Sequence, residues 1–277
     1  DPTFKCYCAL RAETLSKARQ ATAVRKKPIM ANLPPKILTA FNNQLGLRSN
    51  PKQIASIICN EFGIPISQQT IYRYIWEDRN NGGKLYKYLR RKSKKIRHKS
   101  KLVKVRINNK KSIDLRLKRI VLMMTAGHWE VDTIFGLDQK SFLLTMVDIA
   151  TMYTIIVKLP NKEAATIEAA INSVIASSLL PFLSITSDNG TEFANHENIS
   201  AKNNIDWFFC HPYCSGERGL NENTNGLIRD FYPKRTDFRL VPDEDIKEVQ
   251  NILTTRPRER IGFIRPAHAM VTHLMAA

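Results

Sequence analysis

Between Lys84 and Arg119 the chain carries 17 Lys and Arg residues and a single acid, Asp114. A stretch with that much uncompensated charge has no route into an apolar core, so it must divide the chain rather than sit inside a folded unit. It holds +16 of the formal +18, which leaves the remainder of the 277 residues nearly neutral. Three parts follow: a helical region over 1–83, a basic linker or arm over 84–122, and a larger unit over 123–277. The 43% hydrophobic content is enough for a real core. A polyanion is the expected partner, nucleic acid first, with the basic run acting as a linker that tracks phosphates. No apolar run reaches the ~18 residues of a membrane span, so no membrane partner is expected. The start, Asp1-Pro2-Thr3, has neither an initiator Met nor a signal-peptide pattern, which reads as a piece lacking its natural beginning. Cys6, Cys8, Cys59, Cys210 and Cys214 are odd in number and scattered, which fits a reducing cytosol better than a disulfide framework. Cys210, His211 and Cys214 lack a fourth ligand at zinc spacing, so packing is preferred over metal binding there.

The first part reads as all-α. Residues 9–24 are rich in good helix formers. Asn50-Pro51 is a cap followed by proline at the first helical position, and Ile54, Ile57 and Ile58 follow at helical spacing. Gly63 ends that helix; Ser67 caps another with Ile71, Tyr74 and Ile75 on its inner face. Two short helices around a Gly-containing turn predict a helix-turn-helix near 50–78, with a plain helical hairpin as the alternative. The DNA reading exposes Gln68, Gln69 and Arg73 to base edges, Gln suiting adenine and Arg suiting guanine. Lys84–Lys95 is expected as a helix end with the rest extended; Arg90, Arg91, Lys94 and Lys95 are candidate DNA contacts.

The last part alternates strand and helix signals. Trp129–Phe135, Ser141–Asp148 and Tyr153–Leu159 predict three adjacent antiparallel strands. Asn161 is expected to cap a helix bearing Ile167, Ile171, Val174 and Ile175 on one face. Phe182–Ser187 is a fourth strand ending at Asp188-Asn189-Gly190, followed by a helix over 191–202, a fifth strand at Ile205–Cys210 and a helix over Asn221–Phe231. The order β-β-β-α-β-α-β-α predicts an α/β layered domain with a mixed sheet.

Asp132 lies within the first strand, Asp188 ends the fourth, and Glu222 opens the late helix. Sites in layered α/β domains form at strand ends and helix starts. Three carboxylates converging there repel unless a cation neutralises them, and Mg²⁺, a hard ion taking carboxylate and phosphate oxygens, is the natural match. Two such ions activate an attacking oxygen and stabilise the leaving one, for hydrolysis or transfer to a DNA 3′-hydroxyl. Taken alone each acid is weak evidence, since the chain has 25 and Asp-Asn-Gly is commonly a turn.

Gly127-His128-Trp129-Glu130-x-Asp132, Ser187-Asp188-Asn189-Gly190-x-Glu192-Phe193, Pro212-Tyr213 and the run Arg218-Gly219-x-Asn221-Glu222-Asn223-Thr224-Asn225-Gly226-Leu227-Ile228-Arg229 closely resemble the bacterial DDE transposases of the insertion-sequence-thirty family. Phe231-Tyr232-Pro233-Lys234 and Arg256-Pro257-Arg258-x-Arg260-Ile261-Gly262 extend the likeness, and gaps of 56 and 34 residues separate the three acids. Val131, Thr254-Thr255, and Cys214 with Gly216 depart from the family's usual pattern. The resemblance implies an RNase H-like catalytic domain of the retroviral-integrase superfamily, with Asp132, Asp188 and Glu222 as ligands of two Mg²⁺ ions, Mn²⁺ substituting. It implies metal-dependent cleavage and strand transfer at the terminal inverted repeats of a mobile element, joined to target DNA, by an oligomer that is at least a dimer. Location in a bacterial cytoplasm, on the nucleoid, follows from that reading. Arg218, Arg229 and Lys234 are further candidate DNA contacts on charge alone. Asn189 is read as a helix cap, His128 and Trp129 as core, and Glu130 as facing away from Asp132. A DNA-binding regulator with an idle core is the alternative, and a nuclease blind to sequence a third reading that the helix-turn-helix disfavours.

Overall fold

In the computed structural model, which describes residues 13–19, 30, 33–90, 107, 109–116, 125–212 and 214–276, the chain divides between Lys92 and Ser93 into two units. In the first unit, residues 13–19 are helical, inside the stretch of helix formers. Helix α1 spans Pro35–Gly46 and buries Ile37, Phe41 and Leu45. Helix α2 spans Pro51–Phe62 and begins in a reciprocal cap, the Asn50 side chain accepting the Gln53 N–H and the Gln53 side chain the Asn50 N–H. Gly63, at φ +67, ends it in the left-handed conformation. Helix α3 spans Gln68–Asn80 and is capped by Ser67. Phe41, Ile54, Ile58, Ile71 and Ile75 close the core of this unit. Lys84–Lys95 is not a helix end where described: a short 3₁₀ turn, Leu85–Tyr88, stands there. The cause is local, since Gly82 (φ +83) breaks the chain direction and Asp78 turns back to accept the Leu85 N–H at 3.0 Å.

The second unit is a five-stranded sheet in the order β3-β2-β1-β4-β5. Its strands are β1 (His128–Phe135), β2 (Phe142–Asp148), β3 (Thr154–Leu159), β4 (Ser184–Ser187) and β5 (Asp206–Phe209). The first three pair antiparallel, whereas β4 and β5 run parallel to β1. All five strands read from the sequence are present, each within two residues of its expected ends. Helix α4 (Ala164–Ser177) lays Ile167 and Ile171 on one face of the sheet against Trp129, Val131, Leu144 and Met146. Asn161 does not cap it directly: its side chain accepts the Glu163 N–H, one residue before the helix. The expected helix over 191–202 is divided into a 3₁₀ turn, Thr191–Phe193, and helix α5 (His196–Asn203). Between them Asn195 is pinned to Glu168 at 2.7 Å.

On the other face, helix α6 (Gly219–Phe231) packs Leu227 and Ile228 against Ile134, Leu143 and Ile156. Each such fully buried side chain contributes roughly 1.5–3 kcal/mol. Two helices follow that the sequence reading did not place, α7 (Asp243–Thr255) and α8 (Pro266–Ala276). Helix α7 guards the sheet edge: Gln250 Oε1 accepts the Ile156 N–H at 2.8 Å, and Asp243 pairs with Lys158 at 2.7 Å. No helix among the described residues is long and apolar enough to cross a membrane.

Candidate active site

Strand alternation places Glu130, Asp132 and Ile134 on the face that meets α6, with Trp129 and Val131 on the other. Strand β4 lies parallel to β1, with Trp129 beside Ile185 and Glu130 beside Thr186. Carrying that register two residues further sets Asp188, just past the end of β4, alongside Asp132.

Between these two acids lies Arg218. Its Nη1 is 3.4 Å from Asp132 Oδ1 and its Nη2 is 3.2 Å from Asp188 Oδ2, and Nη1 also donates to the Val131 carbonyl at 3.1 Å. The arginine side chain is only 12% exposed. Burial works against its charge, but Asp132 and Asp188 outweigh burial and hold its pKa above the ordinary value. Burial pushes the Asp132 carboxyl up, Arg218 opposes that, and Asp188 adds to it. Both oxygens of Asp132 are fixed, Oδ1 by the Thr133 N–H and Oδ2 by Asn225 Nδ2, each at 2.9 Å.

Glu222 sits in the first turn of α6 and is exposed. The structure brings Asp132 and Asp188 together around one guanidinium and leaves Glu222 outside that contact. Among the described residues no three His, Cys, Asp or Glu side chains are grouped closely enough to hold a metal ion. The pair itself is suited to a hard cation. Its donors are all carboxylate oxygens, and a buried positive group already lies between them.

Glu130 corrects the sequence reading. It shares the Asp132 face, since residues two apart on a strand point the same way, and its Oε2 accepts the Asn221 N–H at 3.0 Å in the first turn of α6. Burial raises its pKa, while the Asn221 hydrogen bond and Arg116, Arg218 and Arg260 pull it down. Asn189 does not cap a helix; it accepts from Lys110 Nζ at 2.6 Å and donates to the Cys210 carbonyl at 2.7 Å, tying the end of β4 to the chain beyond β5. His128 and Trp129 are buried, His128 Nδ1 lying 2.8 Å from Ser184 Oγ. Burial lifts the Cys210 thiol to about 12. His211 is held between Glu217 and Asp114, which raise its pKa, the Glu217 hydrogen bond first.

Of the remaining candidates, Gln68, Gln69 and Arg73 are exposed on α3, joined by Tyr72 and Trp76, each 36% exposed and not singled out by the sequence reading. Their one-turn spacing on a polar helix was the available signal. Arg90 is exposed, and Arg91, Lys94 and Lys95 lie outside the described residues. Arg229 donates to the carbonyls of Phe135 and Pro233, and burial lowers its pKa. Lys234 is exposed.

A family model described as the integrase core domain matches residues 124–215, which include Asp132 and Asp188 and stop short of Arg218 and Glu222. The transposase for insertion sequence element IS4351 of Bacteroides fragilis is 42% identical over 219 residues, 78% of this chain and 67% of that protein. The transposase InsI for insertion sequence element IS30A of Escherichia coli (strain K12) is 31% identical over 260 residues, 88% of this chain and 67% of that protein. Among solved structures, the catalytic core domain of BIV integrase aligns with a TM-score of 0.43 at 18% identity, over 54% of this chain and 97% of that one.

Proposed function

The chain belongs to the bacterial IS30-type transposases of the retroviral-integrase superfamily, and from that membership we propose that its RNase H-like unit cuts and joins DNA at the terminal inverted repeats of a mobile element. The observation that carries the reading is the parallel β1–β4 pairing, which sets Asp132 beside Asp188 around a buried positive group. Those two carboxylates would hold a divalent ion, and Glu222, on the adjoining first turn of α6, would complete the set. Mg²⁺ is the fitting ion and Mn²⁺ a substitute, two ions serving both to activate an attacking oxygen and to neutralise the leaving one. The chain's own contribution is preorganisation. Asn225 and the Thr133 N–H hold the Asp132 oxygens, and Arg218 draws Asp188 toward them. Helix α3 would offer Gln68, Gln69 and Arg73 to base edges, and the basic run would follow the phosphates. Pairing two DNA ends would take at least a dimer.

The test is a strand-specific cleavage assay on DNA carrying the element's ends, with Mg²⁺ or Mn²⁺ supplied. Asp188→Asn should abolish cleavage and leave DNA binding in place. Cleavage by the unaltered chain in excess chelator would overturn the metal reading.

A further inference from the structure

The side chain directly across the sheet from Asp132 is Thr145, its Cα partner in the β1–β2 pairing. Thr145 is fully buried and faces α6. Its Oγ1 lies 3.0 Å from Asn221 Oδ1, 2.9 Å from Asn225 Oδ1 and 3.2 Å from the Asp132 carbonyl oxygen. A hydroxyl has one proton to give, so it cannot donate to all three. Amide oxygen and nitrogen are told apart only by their partners, and the Asn221 Nδ2 is buried without one in this orientation. Turning that amide gives Asn221 an N–H aimed at Thr145 Oγ1. Thr145 then donates to Asn225 Oδ1, and Asn225 Nδ2 donates to Asp132 Oδ2 at 2.9 Å.

The result is a one-way chain of hydrogen bonds from the first turn of α6, through β2, to the Asp132 carboxylate. On its far side the same turn is held by Glu130, which accepts the Asn221 N–H at 3.0 Å. Asn221 is thus latched to the sheet by backbone and by side chain, and Glu222 is the next residue. We propose that Thr145 is a positioning residue that sets where α6 presents Glu222 relative to Asp132, with Glu130 as the second half of the latch. This rests on the reading of Asp132, Asp188 and Glu222 as metal ligands.

The test compares Thr145→Val, which keeps shape and loses the hydroxyl, with Thr145→Ser, which keeps the hydroxyl, each in the 277-residue chain. Mn²⁺ affinity is read by calorimetry, cleavage by kcat and KM, and folding by thermal melting. Thr145→Val should bind Mn²⁺ 10–100-fold more weakly and lose kcat with the KM for DNA unchanged, while Thr145→Ser returns both toward the unaltered values. A purely packing role would give a lowered melting temperature with Mn²⁺ affinity and kcat intact, and that result overturns the proposal. So does a Thr145→Ser as impaired as Thr145→Val. If Thr145→Val does not fold, Asn221→Ala breaks the first link of the same chain without removing a contact to Asp132; weakened Mn²⁺ binding with an unmoved melting temperature supports the latch, and intact binding overturns it. Asp188→Asn run alongside separates the two levels. Unchanged Mn²⁺ binding in Asp188→Asn sinks the ligand reading itself, whereas weakened binding there with normal binding in Thr145→Val sinks only the latch.

Discussion

A methyl group on Gly190 would stand 2.4 Å from Glu192 Oε2 and 2.9 Å from Asp188 Oδ1. Glu192 has little freedom to yield, because it is buried, takes the Thr133 hydroxyl at 3.1 Å and pairs with Lys162 at 3.3 Å. Relief must therefore come from Glu192 giving up those partners or from the Asp188–Gly190 turn shifting, and a shifted turn disturbs the Asp188 carboxylate that accepts the Gly190 N–H at 2.9 Å. Gly190→Ala is expected to lower stability by about 1–3 kcal/mol in urea unfolding and to reduce cleavage beyond what that loss of folded protein accounts for. Normal specific activity per folded molecule would show that Asp188 tolerates the shift. At this scale legibility was uneven. Asp132 and Asp188 stood out through the motifs around them, Gly127–Asp132 and Ser187–Phe193, because each acid taken alone is weak evidence. Arg218 could be read only as a charge, since its partner Asp188 is 30 residues away and only the fold joins them. Glu130 was readable and misread, because residues two apart on a strand share a face and that rule sets Glu130 beside Asp132.

Elements were legible wherever a periodic apolar pattern ran between clear caps, as in α2 with Asn50 and Gly63, or in the five strands. Helix α7 carries the same signal, with three acids in its first turn and Ile246, Val249 and Leu253 at helical spacing, in the stretch between the Phe231–Lys234 and Arg256–Gly262 motifs. Asn50→Ala should cost about 1 kcal/mol in the first unit, visible as a lower melting temperature for its helical signal, with the β-sheet unit unmoved. The turn from β2 into β3 is tied to the start of β1 by Asp148. Asp148 is fully buried, accepting the Gly127 N–H at 2.7 Å and the Thr151 N–H and hydroxyl at 2.8 and 2.7 Å. Burial raises its pKa, and these hydrogen bonds only partly offset that. Because the folded form holds its proton more tightly than the unfolded chain, its contribution is full below about pH 4. It is then lost as pH rises through the raised folded value. Glu130 acts in the same sense. Asp237, held at about 2 chiefly by its Arg239 hydrogen bond, acts in the opposite sense, over a lower range. Stability measured by urea unfolding should therefore decline as pH rises above about 4. Asp148→Asn should flatten that decline while costing about 1–3 kcal/mol near neutrality, where its amide faces donors. A decline of unchanged steepness in Asp148→Asn would place the titrating group elsewhere.

The proposed function assigns three tasks along the chain, to exposed Gln68, Gln69 and Arg73 in the first unit, to a +16 stretch from Lys84 to Arg119, and to the acids of the second unit. The charge of the basic stretch is a property of sequence and is read there directly, whereas the distances that join Asp132, Asp188 and α6 arise only when the sheet forms. The separation makes the tasks distinguishable by salt. Each neutralised phosphate releases condensed counterions, so the slope of log affinity against log salt changes by about 0.9 per phosphate. Replacing Arg90, Arg91, Lys94 and Lys95 together by Ala should make that slope shallower by roughly 3 to 4, equally for end-bearing and random DNA, because phosphates carry no sequence. Changing Gln68 or Gln69 to Ala should leave the slope alone and narrow the preference for end-bearing DNA, by about 1–3 kcal/mol for each base edge no longer read. Arg73→Ala should narrow the preference as well, with a slope change of at most about 0.9. Asp188→Asn should change neither slope nor preference. Filter-binding titrations on both DNAs at several salt concentrations resolve all of these variants. An unchanged slope in the fourfold Ala variant would show that those four side chains do not neutralise phosphates, and a vanished preference in the same variant would mean that the basic run reads sequence.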